Sequence, residues 1–357
     1  MKALVLSGGS GTRLRPFSHS MPKQLMPIAN KPVLEYVLEN IRATGVHDVG
    51  IVTGDRGDQI AAALQDGSRL GMRITYLPQD APRGLAHAVA TARAFLAEDD
   101  FVMYLGDNML PAGITDAAAG FRAGRPAAQV LVHKVSDPRA FGVAETAPDG
   151  RVLRLVEKPR EPRSDLALIG VYFFTPAVHD AIAAIRPSAR GELEITDAIQ
   201  ELVTRGAAVR AVEYDGYWKD TGEVADVLDC NRTVLDGLRT ARHPTASVDA
   251  ASELIGPVGL GPGVRLVRSR VQGPAVIGAG TVLEDSQVAP YTAVGGGCVL
   301  RGTHLGNSIV LDGATVTGMR GIEGSVIGRG ATVSAADHGD RHHRLVIGDH
   351  AGVEVAA

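Results

Sequence analysis

The residues best equipped for chemistry gather in one loop near the start of the chain. Ser7-Gly8-Gly9-Ser10-Gly11-Thr12-Arg13-Leu14-Arg15-Pro16 follows the short apolar run Ala3 to Leu6. After a strand, glycines let the backbone approach a ligand closely, and successive amides form a nest for phosphate oxygens. Two familiar phosphate loops are excluded. The Walker loop ends in Gly-Lys-Ser/Thr, and the dinucleotide fingerprint needs a third glycine where Leu14 stands. On this stretch alone, a turn of small residues remains the alternative. Further along, Asp107 and Asp220 each follow a strand-like run. Mg2+ takes one or two such carboxylates together with phosphate oxygens and water, but an Asp after a strand commonly just shapes a turn. Glu157-Lys158 reads equally as a solvated ion pair.

Positioning these groups calls for a layered sheet. From Lys2 to about Asp236, short β-branched runs alternate with helical stretches, the pattern of an α/β fold. Strands are predicted at Ala3 to Leu6, Val46 to Thr53, Met72 to Leu77, Phe101 to Leu105, Gln129 to Val135, Val152 to Val156 and Ala167 to Phe174. Val33, Leu34, Val37, Leu38 and Ile41 fall on one helical face, with Asn30 as cap, Pro32 in the first turn and Gly45 as terminator. Further helices are predicted around Asp58 to Gln65 and Gly84 to Leu96. Ligands in such sheets bind beyond the carboxyl ends of the strands, so Ser7 to Arg15 and Gly106-Asp107-Asn108 should face one crevice.

From about Pro257 the period changes to six. Val276, Val282, Val288, Val294 and Leu300 keep that spacing, as do Val310, Val316 and Ile322, then Ile327 with Val333 and Ile347 with Val353. Aliphatic residues six apart among glycines mark a parallel β-helix, each coil stacking on the next. Leu238 to Ile255 reads as the linker. At 357 residues two domains are expected. Hydrophobic residues at 45% and charged residues at 21% exclude wholesale disorder, and a net charge of −4 argues against nucleic acid as partner. Cys230 and Cys298 are too few for a disulfide framework or zinc site, which suits a reducing cytoplasm. The apolar run in MKALVLSGG is too short for a signal peptide or membrane span, so no membrane association is expected.

Beyond the loop, Pro22-Lys23-Gln24-Leu25-Met26-Pro27 and Asn30-Lys31-Pro32 complete a run that resembles the signature of sugar nucleotidylyltransferases. Lys23-Gln24-Leu25 is most similar to the glucose-1-phosphate thymidylyltransferases. The resemblance continues in order through Gln79 to Ala88, Leu105-Gly106-Asp107-Asn108, Phe141-Gly142-Val143, Glu157-Lys158-Pro159, Gly191 to Asp197 and Trp218-Lys219-Asp220-Thr221-Gly222. With the six-residue repeats, it points to the longer form found in deoxysugar and antibiotic pathways. It implies a mixed, mostly parallel Rossmann-like nucleotidyltransferase sheet with helices on both faces over residues 1–240, then a left-handed parallel β-helix over 241–357.

The implied reaction joins dTTP to glucose 1-phosphate, giving dTDP-glucose and pyrophosphate, with Mg2+ held by Asp107 and Asp220. By the same resemblance, Leu6, Gly8, Gly9, Gly11, Thr12, Arg13, Lys23, Gln24, Gln79, Pro82, Gly84 and Asp107 bind the nucleotide. Asn108, Gly142, Glu157, Lys158, Val171, Arg190 and Trp218 bind the sugar phosphate. Arg13, Lys23, Asp107, Lys158 and Asp220 carry the catalysis. Gln79 offers a donor and an acceptor, as the imide edge of thymine or uracil requires. One methyl is worth only about 1 kcal/mol, so UTP is expected as a second substrate and uridylyl transfer is the nearest rival. Acyl transfer by the β-helix is a further rival, with His304 and Asp337-His338-Gly339-Asp340-Arg341-His342-His343 as its candidate residues. A non-catalytic sugar-nucleotide binder is a third. The β-helix is expected to make the chain a homo-oligomer.

Overall fold

The computed structural model describes residues 1–336 and 348–354. The chain forms two compact units. The first comprises Met1–Ser10, Met21–Leu25 and Val33–Asp220; the second comprises Gly11–Ser20, Met26–Pro32 and Thr221–Ala357.

The first unit is built on a nine-stranded sheet. Its strands are β1 (Lys2–Ser7), β2 (Asp48–Thr53), β3 (Arg73–Pro78), β4 (Phe101–Leu105), β6 (Ala128–Lys134), β7 (Gly142–Thr146), β8 (Val152–Glu157), β9 (Leu166–Phe174) and β10 (Val209–Glu213). A separate ribbon joins β5 (Asn108–Met109) to β11 (Lys219–Asp220). The strand order is β8-β7-β9-β4-β1-β2-β3, with β6 beside β9 and β10 beside β6. From β4 to β3 every pairing is parallel, whereas β9 runs antiparallel to β4, β6 and β7. The expected parallel character thus belongs to the half that begins with the glycine loop and to the β6–β10 pair.

Alternation along β1 explains the layers, since successive side chains point to opposite faces. Ala3 and Val5 pack with Leu34, Val37, Leu38 and Ile41 of α1 (Val33–Ala43). Ile60 and Leu64 of α2 (Gly57–Leu64) join the same face. Leu4 and Leu6 pack on the other face with Ala86, Ala88 and Val89 of α3 (Leu85–Thr91) and Leu96 of α4 (Arg93–Leu96). The predicted helix over Gly84 to Leu96 is therefore two pieces, broken at Ala92. The first face also receives α5 (Thr115–Gly124) through Ala118 and Phe121, and the second receives α6 (Ala177–Ala184) and α7 (Ile195–Thr204). At the sheet edge, Gln200 of α7 accepts the Leu155 N–H at 2.8 Å, which blunts β8 against further pairing.

In the second unit, α8 (Val224–Asp236) precedes three parallel sheets of six, six and five short strands, running from Ala241 to Ser334. This is the left-handed parallel β-helix. Leu260, Ile277, Val294, Val310 and Ile327 stack in one column, and Leu266, Leu283, Leu300, Val316 and Val333 in the next. A third column holds Leu254, Val271, Val288, Leu305 and Ile322.

Several sequence expectations change here. Val276 and Val282 are half-exposed, and their neighbours Ile277 and Leu283 fill the core instead. The coil repeats after seventeen residues along much of its length, as Leu260 pairing with Ile277 shows, so a strict six-residue count slips by one and the pleat turns the residue outward. The predicted linker already contains Ala241–Arg242, Ser247–Val248 and Glu253–Ile255, each paired in the coil. Asn30 is no helix cap. It sits at φ 64 between the paired strands Pro27–Ile28 and Lys31–Pro32, and its Nδ2 donates to the Val294 carbonyl at 2.7 Å. Ile347 and the cluster from Asp337 to His343 lie outside the described residues, while Val353 is exposed and belongs to no strand.

A ladder of hydroxyls accounts for buried polar atoms within the coil. The backbone N–H groups of Ser269, Ser286 and Thr303 donate to the hydroxyls of Ser252, Ser269 and Ser286 respectively, one coil back, at 3.0–3.2 Å. Ser269 and Ser286 donate in turn to carbonyls two residues earlier, so no group in the run is left without a partner.

Candidate active site

β1 has β2 on one side and β4 on the other, so the chain leaves it in one direction and later returns on the opposite flank. Such a switch point opens a crevice beyond the carboxyl ends of the strands. Gly106 N–H donates to the Leu6 carbonyl at 2.9 Å, and Gln79 N–H donates to the Thr53 carbonyl at 2.9 Å. The ends of β1, β2, β3 and β4 therefore meet. Backbone crowding there is severe: a Cβ on Gly54 would stand 3.0 Å from the Gly8 carbonyl oxygen, and one on Gly106 would stand 2.5 Å from Ser7 Oγ. Gly9 lies against Lys23, whose Cε would be 3.2 Å from an added Cβ.

Lys23 Nζ pairs with Asp107 Oδ2 in a short ionic contact. Asp107 Oδ1 accepts from Asn108 Nδ2 at 3.0 Å, and Asn108 Oδ1 accepts from Trp218 Nε1 at 2.7 Å. The Trp218 ring packs edge-on against Phe141, with centroids 5.3 Å apart. Its N–H is thus committed to holding Asn108. In the small ribbon, Asp220 pairs with Asn108 in antiparallel register, one residue along the chain from Asp107. Asp107 and Asp220 thus flank one short ribbon, and no group of three His, Cys, Asp or Glu that could hold a metal ion forms among the described residues. Carboxylates of this kind are the hard oxygen donors that a divalent ion takes.

A second cluster lies at the end of β8. Glu157 Oε2 accepts from Thr196 Oγ1 at 3.2 Å, while Arg190 Nη1 stands 3.6 Å from Glu157 Oε1 and 3.4 Å from Glu194 Oε1. Burial, and then repulsion from Glu194, push the Glu157 carboxyl above its ordinary range, partly offset by Lys158, Thr196 and Arg190. Lys158 adopts φ 42, an uncommon conformation for a side chain of this size, and its N–H donates to the Phe141 carbonyl at 3.0 Å. A Cβ on Gly142 would stand 2.7 Å from Thr196 Cγ2 and 3.2 Å from Glu157 Oε2, so this glycine makes room for the cluster.

The predicted residues divide accordingly. Gly8, Gly9, Lys23, Gln24, Gln79, Gly84 and Asp107 gather around the strand ends, with Pro82 exposed in the loop between Gln79 and Gly84. Gly11, Thr12 and Arg13 belong to the second unit, where Arg13 Nη1 pairs with Glu223 at 3.2 Å. Leu6 and Val171 bury their side chains in the two cores, because each lies within a strand packed on both faces. Anything Val171 offers a ligand comes from its main chain, where β9 breaks register with β6 between Leu168 and Tyr172. Gln24 is 1% exposed, and its Oε1 has no hydrogen-bond partner among the described residues.

Residues that the sequence reading left out are Gly54, His87, Glu194 and Thr196. Glu194 and Thr196 stand inside the Gly191 to Asp197 motif, which was the available signal; nothing in spacing marks Gly54. His304 lies on the outer face of the coil, in register with Gln287 and Arg270.

The family that this fold and crevice describe is matched directly: residues 2–237 fit the nucleotidyl transferase family, and the chain belongs to it. Within that family it groups with the glucose-1-phosphate thymidylyltransferases. It is 56% identical over 272 residues to the one from Streptomyces antibioticus, covering 76% of each chain. The Streptomyces griseus enzyme of the same name is 56% identical over 271 residues, again with 76% of each chain covered. A crystal structure from Bacillus anthracis, described as a candidate glucose-1-phosphate thymidylyltransferase, superposes with a TM-score of 0.62 at 32% identity, covering 68% of this chain and 98% of that one. The substrates of the family are a nucleoside triphosphate and a sugar 1-phosphate, and its members generally use a divalent metal. Among the described residues no helix is long and apolar enough to cross a membrane.

Proposed function

We propose that this enzyme transfers a thymidylyl group from dTTP to glucose 1-phosphate, releasing pyrophosphate and dTDP-glucose, with Mg2+ as its metal. The observation that carries this reading is the 56% identity to enzymes of that name across 76% of the chain. The site chemistry supports it. Two phosphate groups must approach although like unit charges about 4 Å apart repel by roughly 4 kcal/mol at an effective dielectric near 20. Asp107 and Asp220 would hold the metal, which supplies charge neutralisation when bound. The amides of Gly8, Gly9, Gly11 and Thr12, with Arg13, receive the triphosphate, and Lys23 stands by Asp107 to meet the reacting phosphate. Lys158 and Arg190 receive the sugar phosphate while Glu157 accepts sugar hydroxyls. The sugar phosphate oxygen is itself the nucleophile, so positioning and electrostatics carry the reaction without a general base.

The catalytic domain is assigned to residues 1–240 and the second domain, which carries the β-helix, to 241–357. The β-helix serves self-association, to be checked by light scattering. Both cysteines are buried thiols, in keeping with a cytoplasmic enzyme. A pyrophosphate-release assay across dTTP, UTP, dCTP, ATP and a panel of sugar 1-phosphates tests the reading. The expected result is highest kcat/KM with dTTP and glucose 1-phosphate, UTP second, and a collapse in Asp220→Asn. Preference for a purine triphosphate would overturn it.

A further inference from the structure

Gln79 meets a second side chain, His87, which lies in the same Gln79 to Ala88 run but to which the sequence gives no role. Gln79 Nε2 lies 2.8 Å from His87 Nδ1 and 3.5 Å from the Gly84 carbonyl oxygen. Its Oε1 faces the other way, 3.4 Å from where a Cβ on Gly8 would stand. His87 is on the first turn of α3 and is part-buried. The loop between them is tied down: Leu193 N–H donates to the Arg83 carbonyl at 2.8 Å, and Ala86 N–H donates to the Leu193 carbonyl at 3.0 Å.

A carboxamide is nearly symmetric in shape, and half a turn exchanges its donor and acceptor. Thymine and uracil present a carbonyl acceptor beside an N3–H donor. Cytosine presents an amino donor beside a bare N3 acceptor. A glutamine free to turn satisfies either edge, so Gln79 alone would not discriminate between them. Something must fix which end of the amide faces the base.

We propose that His87 is a positioning residue for base selection, its Nδ1 accepting from Gln79 Nε2 and so holding the amide in the orientation that pairs with an imide edge and leaves cytosine mispaired. Nδ1 accepts only when the ring proton sits on Nε2. That nitrogen stands 3.7 Å from Asp80 Oδ1, an acceptor that favours the required tautomer, and Asp80 is itself held by Arg83 Nη2 at 3.0 Å. The order of control runs from Asp80 through His87 and Gln79 to the base. This rests on the reading of Gln79 as a base contact in thymidylyl transfer.

The test uses the full-length enzyme with Mg2+ and glucose 1-phosphate, comparing kcat/KM for dTTP and dCTP. His87→Glu offers only acceptors and should hold the amide as the imidazole does, keeping the dTTP-to-dCTP ratio within about threefold of wild type. His87→Lys offers only donors, should turn the amide, and is expected to lower the ratio by about tenfold or more, with His87→Ala between. The change should appear mainly in KM, since the reacting phosphates are untouched. Calorimetric titration with each triphosphate gives the same ratio for any variant too slow to assay, with circular dichroism as the check on folding. An unchanged ratio in His87→Lys, or an equal collapse in all three variants, overturns the proposal. Wild-type enzyme that fails to use dTTP would instead overturn the thymidylyl reading before any variant is made. Discrimination that survives in Gln79→Ala would remove Gln79 from the base contact, and the His87 proposal with it.

Discussion

At the strand ends of the sheet, an added Cβ would stand 2.4 Å from a backbone oxygen at Gly84 and 2.5 Å from a side-chain oxygen at Gly106. In the coil, Gly280 and Gly297 adopt φ 68 and 65, and a Cβ there would meet nothing within 4 Å. The sheet unit uses glycine to let segments from distant parts of the chain touch. The coil uses it to let adjacent turns stack closely, as at Gly278 against Gly295, and to turn a corner in the left-handed region at Gly263, Gly280, Gly297, Gly313 and Gly330. Polar groups divide the same way: in the coil, hydroxyls answer backbone amides from turn to turn, whereas Gln24 Oε1 and Ser7 Oγ beside the crevice are buried with no hydrogen-bond partner among the described residues. One region completes its bonding internally, and the other leaves groups ready for something else.

Substitutions should separate the two regions. Asp107→Asn weakens the charge centre that pairs with Lys23 and should lower kcat by about 100-fold or more with the melting temperature nearly unchanged; a rate within a few-fold of wild type would erase the contrast. Leu300→Ala, at a fully buried position of the coil, should cost about 2–5 kcal/mol in denaturant unfolding while leaving the KM for both substrates where it was. Gly84→Ala must displace Leu193 and should raise the KM for the triphosphate, whereas Gly280→Ala should cost only about 1 kcal/mol of stability and leave the kinetics alone. Equal kinetic effects from the two alanines would show that the regions are not distinct in this sense.

The smallest effect concerns pH. Because the Glu157 carboxyl is raised in the folded protein, the native state binds this proton more tightly than the unfolded chain does. Its contribution to stability is fully present below the ordinary glutamate range and is lost as pH rises through the raised value. Glu157→Gln should flatten that part of the stability profile, measured by chemical unfolding across weakly acidic pH. A steeper slope in the variant would reverse the assigned sign.

Much of this was readable from residues alone. The short continuous apolar run Ala3 to Leu6 and the one-sided pattern of Val33 to Ile41, with its period of about 3.6 residues, depend on local geometry, so β1 and α1 fall where expected. The coil was legible for the same reason, although the pleat decides between Val276 and Ile277, and a single step of register was enough to mislead. Asn30-Lys31-Pro32 misled in another way: its cap and first-turn residues suit a helix start, but Pro27–Ile28 pairs with Lys31–Pro32 and outweighs the local preference.

The sequence by itself determined the element types, the coil, and the loop of small residues that could hold phosphate, because these depend on neighbours a few positions away. Only the tertiary structure brought Asp220 to Asn108 by strand pairing, held Asn108 with Trp218 from 110 residues away, assigned Gly11, Thr12 and Arg13 to a different unit from Gly8 and Gly9, and placed His87 against Gln79. Those choices rest on strand register and on the packing of α3 beside the strand ends, and both are settled when the whole sheet closes rather than by any short stretch of chain.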